Sequence, residues 1–418
     1  MIYIIEITVK NIGENLILRK HKKVIIIVNC FILLFLLLFI ASVMFLLFQR
    51  FINCQLISDF PAHISAALND QGYSLTHLVI KFAYTLFRSS AAISAVMTLI
   101  VVLTVVAVAF LLKKLIVLIG NGQNEFCDSL PSFGISLVAL FSVFSAGIYI
   151  EKYRPYYYFK LSVLTQPWHN STYLLMRLLA VMTLIFYFQI EQTYYKKKIE
   201  IRTYFWFAFF LTLTNFSKPN FVLGFAPIML FVLGWDFVQT KTKSFVQALL
   251  FGCCVLISLI PLIFQTSSLY GGTDESAIIL ITEKWELLLT DWNWFYGIVS
   301  EFLFPIIATV IILIYSGKHH DISLRILCQG WLFLLMCFLQ GVFMEETGPR
   351  ANHGNYTWGQ YFFALLLYLI CAAYLFCIAK KNKKVYWTFL LYVPNIISGI
   401  MYFSCLSGWI GNYGDFLI

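Results

Sequence analysis

Charged residues are scarce in this 418-residue sequence: aspartate, glutamate, lysine and arginine make up 12% of it, whereas 61% of the residues are hydrophobic. Soluble domains carry about 25% charged and about 45–50% apolar residues, so this composition excludes a water-soluble globule. The apolar runs are continuous rather than alternating, which argues against an outer-membrane β-barrel. The sequence therefore predicts an all-α, polytopic membrane protein.

Three other features are missing or nearly so. None of the ten cysteines belongs to a CxxC pair, which excludes the common zinc and redox motifs. The apolar runs hold almost no charged residues, and the sequence shows no internal repeat. Both features are typical of transporters, so their absence disfavours that class. The net charge of +9 does not indicate nucleic-acid binding, because the basic residues cluster in short links between the apolar runs.

Eleven apolar runs predict eleven membrane spans, because a helix crosses a bilayer in about 20 residues. The predicted spans are 24–48, 93–112, 133–150, 173–189, 204–216, 221–235, 245–265, 297–315, 326–343, 359–379 and 385–405. The stretch 204–235 is long for one span and short for two. It is interrupted by Lys218, Pro219 and Asn220, which predict a tight polar hairpin between two short or tilted helices.

The basic residues predict the orientation of the bundle. With the N-terminus in the cytoplasm, the inside links hold 19 of the 29 lysines and arginines, as the positive-inside rule requires. The C-terminus is then extracytoplasmic, and residues 1–418 form a single integral membrane domain. The outer loops are 49–92, 151–172, 266–296 and 344–358. Because 12 of the 20 acidic residues lie outside in this orientation, we expect chemistry on the outer face.

The first outer loop places a carboxylate directly after the first span. Asp59 and His63 precede two helix-like stretches, 64–68 and 75–87. A carboxylate here can take a proton from a sugar hydroxyl, and His63 shares its face if the turn between them is helical. The alternative is that Ser58 or Asp59 is a helix N-cap with a proline in the first turn.

The second and third outer loops are rich in aromatic residues. The tyrosines between 153 and 158 are typical of a belt at the lipid headgroups. Trp168, His169 and Asn170 combine a stacking ring with two hydrogen-bonding side chains, which suits a carbohydrate. Arg177 lies one or two turns into the next span and is expected to face a polar cavity or the membrane surface. The loop at 266–296 predicts an amphipathic surface helix.

Lys218 has two interpretations, since it lies at the break between two predicted spans. It is either an anchor that snorkels to the membrane surface or a cation directed at a lipid phosphate. The second interpretation follows because broken helices at membrane depth usually line cavities.

The loop at 344–358 is the densest polar segment of the chain, and we expect it to carry function. Joining two helices takes about two to eight residues and no such chemistry. Arg350 suits bidentate phosphate binding, and Glu345 or Glu346 is a candidate base or metal ligand. His353 and Trp358 are candidate contacts to a sugar. The alternative is a solvated turn with a charge pair.

This arrangement resembles the polytopic GT-C type glycosyltransferases and the related O-antigen polymerases of bacterial surface-polysaccharide pathways. In the first group an acidic residue in the first outer loop is the base or a metal ligand, and Asp59 matches it. In the polymerases outer-loop arginines bind a lipid diphosphate, as Arg350 would. The resemblance implies a polyprenyl-linked sugar donor, a glycan or glycolipid acceptor and the bacterial cytoplasmic (inner) membrane. It leaves the participation of a divalent cation open.

The resemblance also implies roles for the candidate residues. Asp59, or else Glu345 or Glu346, deprotonates the acceptor, and cationic side chains neutralise the departing phosphate. The cations are Arg350 with Lys218 or Arg177, the candidate sugar contacts are Trp168, His169, His353 and Trp358, and His63 is a further candidate for binding substrate. Two other classes stay open. One is a transporter or flippase of a lipid-linked glycan, and the other is a non-catalytic scaffold.

Overall fold

A computed structural model describes residues 2–120, 132–148, 168–195, 198–240, 245–270, 278–280, 290, 293–319, 322–347 and 355–407. Side chains of the first helix are described from residue 27 onward. The helices are α1 (Ile2–Ile52), α2 (Phe60–Leu68), α3 (Leu75–Phe87), α4 (Ser90–Ile119), α5 (Phe133–Phe144), α6 (Ser171–Glu191), α7 (Ile201–Ser217), α8 (Asn220–Thr240), α9 (Phe245–Ser258), α10 (Ile260–Tyr270), α11 (Asn293–Glu301), α12 (Leu303–His319), α13 (Arg325–Phe343), α14 (Trp358–Ala379) and α15 (Val393–Leu406). The 3-10 helices Asn355–Thr357 and Lys383–Tyr392 precede α14 and α15.

The described part of the chain confirms a polytopic helical membrane protein. Eight of its helical segments are long and apolar enough to cross a membrane, and the pair α11–α12, bent by 67°, makes a ninth. Every predicted span overlaps a helix, but α5 has only 12 residues and α7 has 17. The count of eleven spans and the orientation therefore stay predictions.

Helix α14 is the centre of the bundle. Its sequence is apolar all round, which is typical of a helix that is buried on every side. It packs against α4, α8, α12 and α13, and nearly all of its side chains are buried. The polar residues at its first turn are therefore held in one place by the whole bundle.

The helix break predicted at Lys218 is present, whereas the division into two spans stays a prediction. Helix α7 ends at Ser217 and α8 begins at Asn220, so only Lys218 and Pro219 join them. The break follows from Pro219, which lacks the N–H that a continuing helix requires. It places Lys218 at the end of the bundle.

One short β-ladder departs from the all-helical prediction. Strand β1 (Ile278–Leu280) pairs antiparallel with strand β2 (Met344–Glu346). The prediction of an amphipathic helix in loop 266–296 is therefore wrong at 278–280. Ile278, Ile279 and Leu280 favour strand over helix only once a partner strand is adjacent, and sequence periodicity does not reveal that partner.

The end of α5 lies directly against α15. After Phe144 the chain leaves the helix, and Ala146 and Asn395 exchange hydrogen bonds, with the Ala146 N–H donating to the Asn395 carbonyl at 3.0 Å. A Cβ added to Gly399 would lie 1.8 Å from the Phe144 carbonyl oxygen. Only glycine permits this approach of two backbones.

Gly399→Ala is therefore expected to destabilise the protein by about 1–3 kcal/mol, as overpacked cores do. Thermal unfolding in detergent measures this. The control is Gly234→Ala in α8, where no atom lies within 4 Å of an added Cβ, and where alanine favours the helix by up to about 1 kcal/mol. Equal melting temperatures for the two variants would contradict the close approach.

A buried ion-pair cluster joins three helices at one end of the bundle. The Arg325 guanidinium donates to both oxygens of Asp236, at 2.7 and 2.5 Å, and also to Glu191. Gln329 donates to Glu191 at 2.6 Å, and the Tyr194 hydroxyl donates to Asp236 at 2.7 Å. The cluster ties the C-terminal ends of α6 and α8 to the first turn of α13.

Candidate functional site

Five segments of the chain meet at the opposite end of the bundle. They are the end of the α1–α2 link with the first turn of α2, the start of α3, the start of α6, the α7–α8 hairpin and the start of α14. Helix α6 runs from this end to the ion-pair cluster, and its 21 residues measure about 31 Å at 1.5 Å per residue. We call the residues that meet here the Asp59 group: Asp59, His63, His77, His169, Asn170, Thr172, Lys218 and Trp358.

The Asp59 carboxylate is directed at α6 instead of capping its own helix. Asp59 holds the N-cap position of α2, but its side chain makes no capping hydrogen bond. The Ser58 hydroxyl accepts from the Phe60 N–H at 3.0 Å. The carboxylate accepts a hydrogen bond from the Asn170 amide at 2.8 Å. The structure thus gives the capping contact to Ser58 and leaves the Asp59 carboxylate at the surface of the site.

Asn170 fixes the position of that carboxylate. As the N-cap of α6, its amide oxygen accepts from the Tyr173 N–H at 2.9 Å and from the Thr172 hydroxyl at 2.7 Å. These two donors orient the amide, so its NH₂ must face Asp59. The positive end of the α6 dipole also favours a negative charge here.

Lys218 completes a hydrogen-bond chain to Asp59. Its ammonium donates to the Thr172 hydroxyl at 3.4 Å and lies 4.4 Å from the centroid of the Trp358 ring. Because Thr172 donates to Asn170, the chain runs from an ammonium through two polar side chains to a carboxylate. The side chain is thus held by a cation–π contact in the group, and both interpretations of Lys218 stay predictions.

The histidines of the group are neutral. Burial is the main cause that lowers the pKa of His63 to about 3. Charge repulsion by His77 and Lys218 also lowers this pKa, whereas attraction by Asp59 raises it. Burial also lowers the pKa of His77 to about 4. The pKa of His169 is lowered by burial as well, opposed by Asp59 and assisted by Lys218.

These shifts predict that the folded protein loses stability in mild acid. The unfolded chain takes up protons on His63 and His77 as the pH falls below about 6.5, whereas the folded chain does so only near 3–4. Stability is therefore full above pH 6.5 and falls as the pH drops from there towards 4. Unfolding in detergent as a function of pH measures it, and the double variant His63→Gln/His77→Gln is expected to give a flatter curve. Parallel curves would contradict the prediction.

The two glutamates of the outer loop lie beside the Asp59 group without touching Asp59. Glu345 and Glu346 are on β2, opposite Ile279 and Ile278. Glu346 is buried and accepts from the Asn355 side chain. The Asn355 carbonyl in turn accepts from Asn220, next to the hairpin. Glu346 therefore supports the first turn of α14, while Asp59 is the carboxylate next to Lys218.

Trp168 and Arg177 lie beneath the group. Both are 1% exposed. The Arg177 guanidinium is 4.6 Å from the Trp168 ring centroid, and Phe144 stacks on the same tryptophan at 5.0 Å. The structure thus places Trp168 in the packing under the site rather than at a surface where a sugar could stack. Arg350 and His353 lie outside the described residues.

No three histidine, cysteine, aspartate or glutamate side chains in the described ranges converge on a point that could hold a metal ion. Asp59 is the single acidic member of its group. The described residues thus offer an ammonium, a carboxylate and neutral imidazoles, which bind anions and accept protons.

Sequence reasoning missed two members of the group, His77 and Thr172, and also the role of Asn170 as the partner of Asp59. His77 lies three residues after Ser74, and the pair forms a capping box at the start of α3. That spacing was a visible signal, although a capping box normally has Glu or Gln at this position. Thr172 carries no signal of its own, because its role depends on Lys218 being near in space.

The sequence matches no protein-family model, and no curated protein shows significant similarity to it. The resemblance to GT-C glycosyltransferases and O-antigen polymerases therefore stays a prediction.

Proposed function

We propose that the protein is a membrane glycosyltransferase or polysaccharide polymerase that uses a polyprenyl-(di)phosphate-linked sugar donor on the extracytoplasmic face. The enzyme lies in the bacterial inner membrane, and its product becomes part of a surface polysaccharide of the O-antigen or capsule type. The observation that carries the proposal is the hydrogen-bond chain from Lys218 to Asp59. It joins a cation and a carboxylate from segments more than a hundred residues apart, at the end of the bundle that faces away from the ion-pair cluster.

The proposed reaction needs these two charges. The acceptor hydroxyl oxygen attacks the anomeric carbon of the donor sugar and forms the new C–O bond, while Asp59 takes the hydroxyl proton. The bond from the anomeric carbon to the phosphate oxygen breaks, and its electron pair stays on the phosphate. Lys218 stabilises the negative charge that develops there. A lipid leaving group explains why the enzyme lies in the bilayer.

Other residues have supporting roles in this proposal. Trp358 and His169 lie beside Lys218, with ring centroids 6.0 Å apart, and form the wall of the site. Arg177 is deeper and adds positive charge under the group. Arg350 is proposed to bind the second phosphate, and His353 to contact the sugar.

One observation favours the alternative, a transporter or flippase. The bent pair α11–α12 breaks next to Glu301, which is buried inside the bundle. Broken helices with a buried acidic side chain are typical of transporters. The two functions differ in their product: an enzyme makes a glycosidic bond, whereas a flippase moves an unchanged glycolipid.

The proposed function is tested by comparing the lipid-linked glycans of cells with and without this chain, by gel and mass analysis. Loss of a polymerase leaves single-repeat glycans, and loss of a transferase leaves a glycan short by one sugar. Identical profiles would contradict the proposal. Movement of a labelled glycolipid across vesicles that contain the purified protein, with no new bond, would establish the alternative.

Asn170→Asp is expected to separate the cap from the contact with Asp59. Aspartate still caps α6, but it replaces the donor at 2.8 Å with a second carboxylate. Two carboxylates so close share a proton, because one pKa rises strongly. Asp59 takes a proton only when it is ionised, so the acidic limb of the pH–rate profile should move to higher pH. The control, Asn170→Ser, caps the helix without charge and should lower the rate without that shift. Identical pH–rate profiles for the two variants would contradict this account.

A further inference from the structure

Two histidines of the Asp59 group meet through their ring nitrogens. His63 Nδ1 and His77 Nε2 lie 2.9 Å apart. The other nitrogen of His77, Nδ1, receives the backbone N–H groups of Tyr73 and Ser74, each at 3.2 Å. The Ser74 hydroxyl lies 3.1 Å from the same nitrogen. These contacts determine which ring nitrogens carry hydrogen.

The assignment starts from the backbone. A backbone N–H donates and cannot accept, so Nδ1 of His77 must offer its lone pair. A neutral His77 then carries its hydrogen on Nε2 and donates it to Nδ1 of His63. His63 in turn carries its hydrogen on Nε2. Among the described residues this N–H meets no hydrogen-bond partner, and the His63 side chain is partly exposed.

We propose that His63 is a neutral hydrogen-bond donor to an anionic substrate oxygen, and that His77 holds it in the Nε2–H form. This inference rests on the proposed function, because the anion it requires is the departing phosphate. The charged groups that face His63 are Lys218 and Asp59. The proposal therefore places a phosphate bound by the Lys218 ammonium within reach of the His63 Nε2–H. No bond is made or broken at His63.

The geometry excludes His63 as the general base. Its Nδ1 lone pair is taken by His77, and its Nε2 carries the hydrogen. Both rings stay neutral at neutral pH, since burial lowers the pKa of His63 to about 3 and that of His77 to about 4. A neutral imidazole that donates a hydrogen bond stabilises a developing oxyanion without giving up its proton. His77 is a positioning residue, because it acts through His63.

The hydrogen positions can be measured without any activity. Nitrogen-15 NMR of the imidazoles in the full chain in detergent reports them, with the peaks assigned from the variants His63→Gln and His77→Gln. We expect hydrogen on Nε2 of both rings at pH 7, and no protonation of either ring down to pH 5. Hydrogen on Nδ1 of either ring, or a charged imidazolium at pH 7, would overturn the proposal.

Two variants of His77 separate positioning from structure. His77→Asn keeps an acceptor for the backbone N–H groups that Nδ1 receives but has no donor at the position of Nε2. His77→Gln has an amide nitrogen that reaches that position. We expect kcat to fall about tenfold in His77→Asn, the loss of one hydrogen bond, with KM little changed, and to recover partly in His77→Gln. If His77 had only a structural role, His77→Asn, which keeps the acceptor for the backbone N–H groups, would retain a higher kcat than His77→Gln.

Two variants of His63 test the donor itself. His63→Gln keeps a neutral N–H near the position of Nε2, whereas the side chain of His63→Asn is too short to reach it. We expect His63→Gln to retain clearly more transfer activity on lipid-linked glycans extracted from the producing cells. Equal losses in both variants would refute the donor role. If the wild type makes no glycosidic bond, the proposed function fails, and the NMR result still decides the tautomers.

Discussion

Asp59→Asn is expected to lower the rate of sugar transfer by about 10²–10⁴-fold, the usual contribution of a general base. Asparagine has the same shape, and its side-chain oxygen can still accept from Asn170, the contact that now measures 2.8 Å. The link between α2 and α6 therefore stays, while the group that takes the proton is gone. The measurement is single-turnover transfer by purified protein in liposomes, with lipid-linked glycans extracted from producing cells.

The matched control for this variant is Asp70→Asn. Asp70 lies in the same outer loop and forms an exposed ion pair with Lys81, away from the Asp59 group. Its replacement should leave the rate unchanged. A rate for Asp59→Asn equal to that of the wild type, or equal losses in both variants, would contradict the role of Asp59 as the base.

The second large effect is on stability. Arg325→Met is expected to destabilise the fold by about 3–5 kcal/mol, because it leaves two buried carboxylates without their cation. Glu191 and Asp236 are almost fully buried, and Arg325 contacts both. Methionine is flexible and of similar length, so lost packing contributes little to the change. Arg325→Lys keeps the charge but cannot make the bidentate contact. Its stability should therefore lie between that of the wild type and that of Arg325→Met.

Unfolding in detergent measures this loss, and the control is Lys81→Met. The Lys81–Asp70 pair is exposed, so its removal should cost about 0–1 kcal/mol. Since the ion-pair cluster lies at the other end of α6 from the Asp59 group, Arg325→Met should also leave the rate per folded molecule unchanged. A small effect on stability, similar to that of Lys81→Met, would show that the cluster is not needed to hold the three helices together.

The large features of the fold follow from the sequence because membrane helices must satisfy their own backbone hydrogen bonds. Continuous apolar runs therefore locate the helices, and Pro219 locates the hairpin. The partner of β1 and the close approach at Gly399 depend on packing between distant segments. Hydropathy carries no information on such pairs, so neither is visible in the sequence.

The candidate site was predictable in its parts but not in its connections. Asp59, Lys218 and Trp358 are visible as polar or aromatic residues near the ends of apolar runs. The contact of Asp59 with Asn170 is not visible, because the two residues are 111 positions apart and Asp59 has a local interpretation as a helix cap. The same ambiguity hides Glu346, which resembles a catalytic carboxylate in the sequence and supports the start of α14 in the structure.

The ion-pair cluster shows a different limit. Arg325 counts in the sequence as one of the basic residues of an inside link, and Asp236 lies near the end of an apolar run. The positive-inside rule treats such an arginine as an anchor in the lipid headgroups. In the fold it is instead the partner of two buried carboxylates. Its role is decided by where α6 and α8 end, which charge counting cannot supply.

The most direct test of the central claim is the side of the membrane on which the Asp59 group lies. Cys54 is exposed and follows α1 closely, so a chain with Cys54 as its sole cysteine reports that side. A second chain with Lys383→Cys as its sole cysteine reports the end at which α14 finishes. We predict that a membrane-impermeant maleimide labels Cys54 in intact cells, and labels the second chain only after permeabilisation. Labelling of Cys54 only in permeabilised cells would contradict sugar transfer on the outer face.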